Sequence, residues 1–245
     1  MFRNAFLKPA LFVIAASSFV AACDGNQNQI TWTKASVAQR EAALTSASAW
    51  GSFEAGDAWQ KLEIDHNADA SCPSLTQVGA KLTYAADGCV GRSGHKYTGK
   101  AEITQVDATE RSAVASMDLN FVGFSMEKGD HKIALEGTFH WDRDNDKKEK
   151  AISNISITRD AVALRFDTEV DCDATGHCVS TEDSRGTVDE LGEFKLETQT
   201  YPKGEGLVNV LILHGTDNLS LSSAKDQNGC YRYSLDGHFG GRLCL

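Results

Sequence analysis

Two short stretches of the chain bring together residue types that could do chemistry. The first holds three carboxylates at alternate positions, Asp142, Asp144 and Asp146. Such carboxylates in a turn can converge on Ca²⁺, which takes about six to eight oxygen ligands. An EF-hand loop would next require a glycine and a distal glutamate, where this chain has Lys147 and Ser153. The alternative is a solvated hairpin tip, which the neighbouring lysines favour because they would repel a cation.

The second stretch is 91–95, which places Ser93 two residues before His95. A serine nucleophile needs a histidine base and an acid that orients this base, but such triads assemble in space rather than in sequence. No GxSxG elbow, HExxH pair or glycine-rich phosphate loop occurs in the chain. A hairpin loop explains Ser93 and His95 more simply. The sequence therefore predicts a non-enzymatic protein without a cofactor.

The overall charge argues against nucleic acid as a partner. The 245 residues include 24 Lys and Arg against 34 Asp and Glu, which gives a formal net charge of −10. A nucleic-acid groove needs a basic face, and this composition does not supply one. Hydrophobic residues make up 41% of the chain, which is ordinary for a folded protein and too apolar for global disorder.

The N-terminus has the pattern of an export signal. Arg3 and Lys8 precede an apolar run over 10–22 that is interrupted only by Ser17 and Ser18. This run is shorter than the roughly 20 residues that a membrane-spanning helix needs. A basic segment followed by a short apolar run is typical of a secretory signal peptide. Residues 1–22 are therefore expected to be removed from the mature chain.

The end of this segment is more specific. Val20-Ala21-Ala22-Cys23 resembles the lipobox of bacterial lipoproteins, in which a peptidase cuts before the cysteine. The resemblance implies that Cys23 carries a thioether-linked lipid and an N-terminal acyl chain such as palmitate. Two such signals hold a protein stably on a membrane. The expected location is the bacterial cell envelope, facing the periplasm or the cell surface. The alternative is an ordinary signal peptide followed by an incidental cysteine.

The remaining cysteines support export. With Cys23 assigned to the lipid, six are left, and an even number in an exported chain suggests disulfides. Each cysteine has one near neighbour in sequence, so the predicted pairs are Cys72–Cys89, Cys172–Cys178 and Cys230–Cys244. A zinc site that uses His177 is the competing interpretation. It is disfavoured because the chain has no CxxC pair, the spacing that thiolate zinc sites favour.

Periodicity predicts the fold of the mature chain. The polar residues that follow Cys23 suggest a lipidated tether over 23–33. A helix is expected near 36–50, with Ser36 and Gln39 at capping-box spacing. From about Leu75 onward apolar and polar residues alternate, as in half-buried antiparallel strands. We therefore expect 34–245 to form one all-β domain, an antiparallel meander arranged as a sandwich or a partly open barrel, with one short N-terminal helix.

Three functional hypotheses follow from these patterns. The first is a membrane-anchored envelope lipoprotein whose β-domain is a non-enzymatic binding or structural module with a protein partner. The second is a carrier or sensor of a lipid or another apolar ligand, held on the apolar face of a curved sheet. The third is a hydrolase whose residues meet only in the folded chain. An open apolar face would favour the second hypothesis, and a pocket that brings His together with Asp or Ser would favour the third.

Overall fold

The computed structural model describes residues 28–47, 52–106, 115–203 and 206–244. Its first helix, α1, spans Val37–Ala47 within the predicted range, and 48–51 lie outside the described residues. The predicted capping box is present. The Gln39 backbone N–H donates to Ser36 Oγ at 3.2 Å, and the Ser36 N–H donates to Gln39 Oε1 at 2.8 Å. These two bonds satisfy donors at the helix start that would otherwise lack a partner.

The expectation of a single helix is wrong, because a second helix, α2, spans Ser52–Ala68. Its buried face consists of Ala55, Ala58, Leu62 and Asp65, which are three or four residues apart. Two alanines and an aspartate make a weak apolar stripe, so hydrophobic periodicity gives little signal for this helix. The spacing itself was the available clue, since residues three and four apart share one helix face.

The described chain after α2 forms one antiparallel sheet of fourteen strands, and this confirms the predicted all-β meander. Neighbouring strands follow chain order, except that β8 and β9 both lie between β7 and β10. The two edge strands, β1 and β14, are not paired with each other, so the sheet is not a closed barrel. The strands are β1 (Ser74–Val78), β2 (Lys81–Val90), β3 (Lys96–Val106), β4 (Ala115–Lys128), β5 (His131–Arg143), β6 (Glu149–Arg159), β7 (Val162–Cys172), β8 (Cys178–Ser180), β9 (Arg185–Val188), β10 (Gly192–Lys203), β11 (Gly206–His214), β12 (Asn218–Lys225), β13 (Tyr231–Leu235) and β14 (His238–Leu243).

Glycines allow the first half of the sheet to bend. At Gly99 in β3 the backbone has a φ of +79°, and a Cβ there would lie 2.1 Å from the carbonyl oxygen of Gly123 in β4. At Gly137 in β5, with a φ of +115°, a Cβ would lie 2.3 Å from the carbonyl oxygen of Asn154. The β3–β4 and β4–β5 registers shift beside Gly99 and Gly123. Such irregularities bend strands and increase their twist.

The sheet curves around the two helices, and its inner face forms the core with them. Helix α1 contacts β7 and β12, which are not neighbours in the sheet, and α2 contacts β5. One continuous cluster of buried side chains joins Leu44 of α1 and Leu62 of α2 to strand residues such as Phe166 and Leu213. The helices therefore fill the inner side of the curved sheet as a second layer.

The predicted tether over 23–33 is wrong for its described part, 28–33. Ile30 and Trp32 are fully buried, and Trp32 packs on Phe194 with ring centroids 5.3 Å apart. Gln29 forms a parallel bridge with Glu193, and the Ile30 N–H donates to the Glu193 carbonyl at 2.9 Å. The polar residues suggested a solvated segment, but two large apolar side chains anchor it. The folded domain therefore includes 28–33, which lie before the predicted boundary at 34.

Candidate functional site

Asp65 joins helix α2 to the β2–β3 turn at 91–95. Its carboxylate is buried and accepts three hydrogen bonds: from the Ser93 backbone N–H at 2.7 Å, the Ser93 hydroxyl at 2.5 Å and the Tyr97 hydroxyl at 2.7 Å. His95 Nδ1 lies 2.6 Å from Ser93 Oγ on the other side. The fold thus brings Asp, Ser and His together, and only Ser93 and His95 were picked out from the sequence.

The pKa of Asp65 reflects two opposing effects. Burial raises it, but the hydrogen bonds from Ser93 and Tyr97 outweigh the burial and hold the pKa below its usual value, with the nearby His95 adding to this lowering. Asp65 is therefore a carboxylate near neutral pH. A carboxylate has no proton to give, so it acts here only as an acceptor.

The order of these three groups is not that of a nucleophilic triad. In a triad, histidine lies between serine and acid and takes the serine proton. Here Ser93 lies between the other two groups. Its single hydroxyl proton goes to Asp65, so His95 must carry its proton on Nδ1 and donate it to Ser93 Oγ. A histidine that donates to serine cannot at the same time remove the serine proton through that nitrogen.

A second turn with the same backbone explains the cluster. In 91–95 the Gly91 N–H donates to the His95 carbonyl at 2.8 Å and the Gly94 N–H to the Gly91 carbonyl at 3.0 Å. In 173–177 the Asp173 N–H donates to the His177 carbonyl at 2.9 Å and the Gly176 N–H to the Asp173 carbonyl at 3.0 Å. Both turns have a hydroxyl residue third, glycine fourth and histidine fifth.

The two turns differ in where their carboxylate comes from. Asp173 caps its own turn, accepting from the Thr175 N–H at 2.8 Å and the Thr175 hydroxyl at 2.6 Å. The other turn has Gly91 at that position, and Asp65 from α2 supplies the carboxylate to the equivalent groups of Ser93. A Cβ on Gly91 would lie 2.3 Å from Asp65 Oδ2, so the helix carboxylate occupies the space of the missing side chain. The cluster is therefore a turn cap whose carboxylate comes from a residue of helix α2, distant in sequence.

Asp142, Asp144 and Asp146 lie along the end of β5 and the following turn. Asp144 accepts from the Lys148 N–H at 2.9 Å and so caps its own turn. Asp142 Oδ2 lies 3.6 Å from Nε2 of His140, whose Nδ1 contacts Asp118 at 2.6 Å. Within the residues that the structure describes, no group of three His, Cys, Asp or Glu side chains is arranged to hold a metal ion. The alternating acids follow the strand and turn instead of converging.

Three surface grooves are formed by described residues, and each is small. One groove of about 300 Å³ lies over the β4–β5 bulge, and two of about 170 and 210 Å³ lie beside 181–185. These volumes are at or below the lower end of the roughly 300–1,000 Å³ that is typical of small-molecule pockets. Neither histidine nor cysteine lines any of the three grooves.

The cysteines are joined in the predicted pairs. Disulfides link Cys72 to Cys89, Cys172 to Cys178 and Cys230 to Cys244. The first ties Cys72, which lies between α2 and β1, to β2. The third ties Cys230, the residue before β13, to Cys244, the residue after β14. Because Cys178 is in a disulfide, a zinc site that uses Cys178 with His177 does not form. Cys23 lies outside the described residues.

A second buried carboxylate, Asp217, holds the N-terminal segment. It accepts hydrogen bonds from the backbone N–H groups of Trp32 and Thr33, the latter at 2.9 Å. Burial raises the pKa of Asp217, but hydrogen bonds from Thr33 and Trp32 outweigh it and lower the pKa below its usual value. The Thr216 N–H also donates to the Ile30 carbonyl at 2.8 Å. The segment around Ile30, Trp32 and Thr33 is therefore held on the β11–β12 turn.

Comparison with known proteins found no match to this chain among protein-family models, curated proteins or solved structures. Within the described residues, neither helix is long and apolar enough to cross a membrane.

Proposed function

We propose that this chain is a membrane-anchored lipoprotein of the bacterial cell envelope, held by lipid on Cys23, whose β-domain is a non-enzymatic binding or structural module. The observation that carries the proposal is the sequence Val20-Ala21-Ala22-Cys23, placed directly after a basic segment and a short apolar run. Small residues before the cut suit a narrow peptidase pocket, and the thiol is the nucleophile that accepts the lipid.

The disulfides support export of the domain. Disulfides persist in oxidising compartments such as the bacterial periplasm and are rare in the cytosol. Six of the seven cysteines pair within the domain, which leaves Cys23 outside these three pairs. This division is the one that a lipoprotein requires, because the anchoring cysteine must keep its thiol for the lipid.

The site geometry favours a module without catalysis. The two hydrogen bonds from Ser93 to Asp65 are accounted for as a turn cap, since Thr175 makes the same two bonds to Asp173 in the turn at 173–177. The carrier hypothesis depended on an apolar sheet face left open. In the described residues, α1 and α2 pack on the inner face of the sheet and share its core. A carrier would have to displace these helices.

The experiment that tests the anchor is fractionation of cells that express the full chain. Cys23→Ser should move the protein from the membrane fraction to the soluble periplasmic fraction, because the thiol that accepts the lipid is lost. Ser18→Ala, which lies in the apolar run outside the lipobox, is the matched control and should leave the protein in the membrane fraction. A Cys23→Ser protein that still requires detergent for extraction contradicts the proposal.

A further inference from the structure

The docked N-terminal segment leaves a short connection to the proposed lipid. Five residue steps separate Cys23 from Asn28, and the Glu193 N–H donates to the Asn28 carbonyl at 2.7 Å. An extended chain spans at most about 3.6 Å per residue, so Asn28 lies within about 18 Å of the anchoring cysteine. A domain held this closely cannot tumble freely above a membrane.

The strand registers show which end of the sheet lies next to Asn28. Asn28 lies at the start of β10, beside the β9–β10 turn at 189–191. The β11–β12 turn at 215–217 contacts Ile30 and Trp32, as described above. The β13–β14 turn at 236–237 comes next, because the Asn218 N–H donates to Asp236 Oδ1 at 2.8 Å and the Asp236 N–H donates back to the Asn218 carbonyl at 2.9 Å. We call these three turns the anchor end.

The anchor end carries an exposed aromatic side chain. Phe239 in β14, two residues beyond the turn at 236–237, is 69% exposed. It is the one aromatic among the large apolar side chains exposed on the described surface. A single exposed apolar residue is ordinary on a soluble protein. Its place at the end held by the short connection distinguishes Phe239 from Val78, which is 74% exposed in the β1–β2 hairpin.

Charge does not explain a contact at this end. Asp189 and Glu190 are exposed in the turn beside Asn28, and acidic groups are repelled by anionic headgroups. An aromatic ring, by contrast, is stable at the boundary between headgroups and acyl chains whatever the lipid charge. The partner that fits the anchor end is therefore the lipid surface itself, contacted through an apolar side chain.

We propose that the anchor end lies against the membrane and that Phe239 inserts into the lipid interface. This inference rests on the proposed lipid anchor at Cys23. It orients the domain: the β12–β13 turn at 226–230, at the opposite end of the same strands, points away from the membrane and is open to partners.

The test places a photo-crosslinking benzophenone amino acid at Phe239 or at Gln227, which is exposed in the turn at 226–230. The full-length lipidated chain is reconstituted into phosphatidylcholine vesicles, floated on a gradient, irradiated and examined for lipid adducts by mass spectrometry. An aromatic label replaces an aromatic residue at 239, so the fold is retained. We expect at least fivefold more lipid adduct at 239 than at 227.

The two proposals fail in different ways. A protein that does not float with the vesicles contradicts the lipid anchor and with it the orientation. A protein that floats but gives equal adduct yields at 239 and 227 contradicts the orientation alone. A protein that floats with greater yield at 227 shows that the anchor end faces away from the lipid.

Discussion

The turns at 91–95 and 173–177 share a backbone but differ in what holds them. The turn at 173–177 carries its own Asp173 and closes within five residues. The turn at 91–95 has Gly91 at the same position and depends on Asp65, which comes from a helix 26 or more residues away in sequence. One turn is a local structure, and the other is a joint between two layers of the protein.

This difference shows how residues suited to catalysis can assemble for structural reasons. A buried carboxylate needs donors, and Ser93 and Tyr97 supply them. His95 lies beside Ser93 because both residues belong to the same turn. The comparison predicts that equivalent substitutions in the two turns have unequal effects on stability.

The largest effect is expected for Asp65→Ala. It would leave the donors of Ser93 and Tyr97 without their acceptor at a buried site, which costs about 3 kcal/mol. For a domain of this size the melting temperature should fall by roughly 6–12 °C. Asp173→Ala removes the cap of an exposed turn and should cost about 1 kcal/mol or less. Differential scanning calorimetry of the two variants measures both values, and equal losses would contradict a special role for the joint.

The change in stability caused by Gly91→Asp should have opposite signs with and without the carboxylate of Asp65. Gly91→Asp in the natural chain should destabilise by about 1–3 kcal/mol, because its Cβ would overlap Asp65 Oδ2. In an Asp65→Gly background the overlap is gone, and the carboxylate introduced at position 91 could cap its own turn as Asp173 does. There Gly91→Asp should stabilise by about 1 kcal/mol. Urea unfolding of the four chains tests this, and the same sign in both backgrounds would rule out equivalent caps.

A smaller effect is expected in how the stability of the domain changes with pH. The pKa of Asp65 in the folded state is below its usual value, because hydrogen bonds from Ser93 and Tyr97 outweigh burial. Its stabilisation is therefore fully present above the unfolded pKa, near about 3.9, and is lost as pH falls through the folded pKa. Melting temperatures measured from pH 7 to pH 2.5 should fall less steeply below pH 4 in Asp65→Asn than in the natural chain. Parallel curves would show that Asp65 does not titrate in this way.

The smallest effect concerns a third turn, at 144–148. This turn has the same two backbone hydrogen bonds, from the Asp144 N–H to the Lys148 carbonyl at 3.0 Å and from the Lys147 N–H to the Asp144 carbonyl at 3.1 Å. Its fourth residue, Lys147, has a φ of +61°, whereas Gly94 and Gly176 have +83° at the fourth positions of their turns. Because a left-handed backbone is strained for residues with a side chain, Lys147→Gly should stabilise by about 0.5 kcal/mol. Lys148→Gly, whose φ is not in this region, is the control and should not stabilise. Urea unfolding compares them, and a greater gain from Lys148→Gly would oppose the assignment.

The sequence predicts structure that depends on neighbouring residues, but not contacts between residues that are far apart in sequence. Some features depend on residues close in sequence and can be predicted from it. They are the alternation in β4, β5 and β7, the Ser36–Gln39 cap and the three near-neighbour disulfides. Asp65 was not identified, since it lies on a helix with a weak apolar stripe and its partners are in another element. The docking of 28–33 was missed for the same reason, as Asp217 and Glu193 reach it only through the fold.

The most direct test of the central claim is the intact mass of the full chain extracted from membranes. The account predicts a chain that begins at Cys23, carries acyl lipid on that residue and contains three disulfides formed by the other six cysteines. Fragmentation should place the added lipid mass on the first residue, and Cys23→Ser should lack it. A protein with unmodified Cys23, or one whose mature chain begins elsewhere, would contradict the lipid anchor.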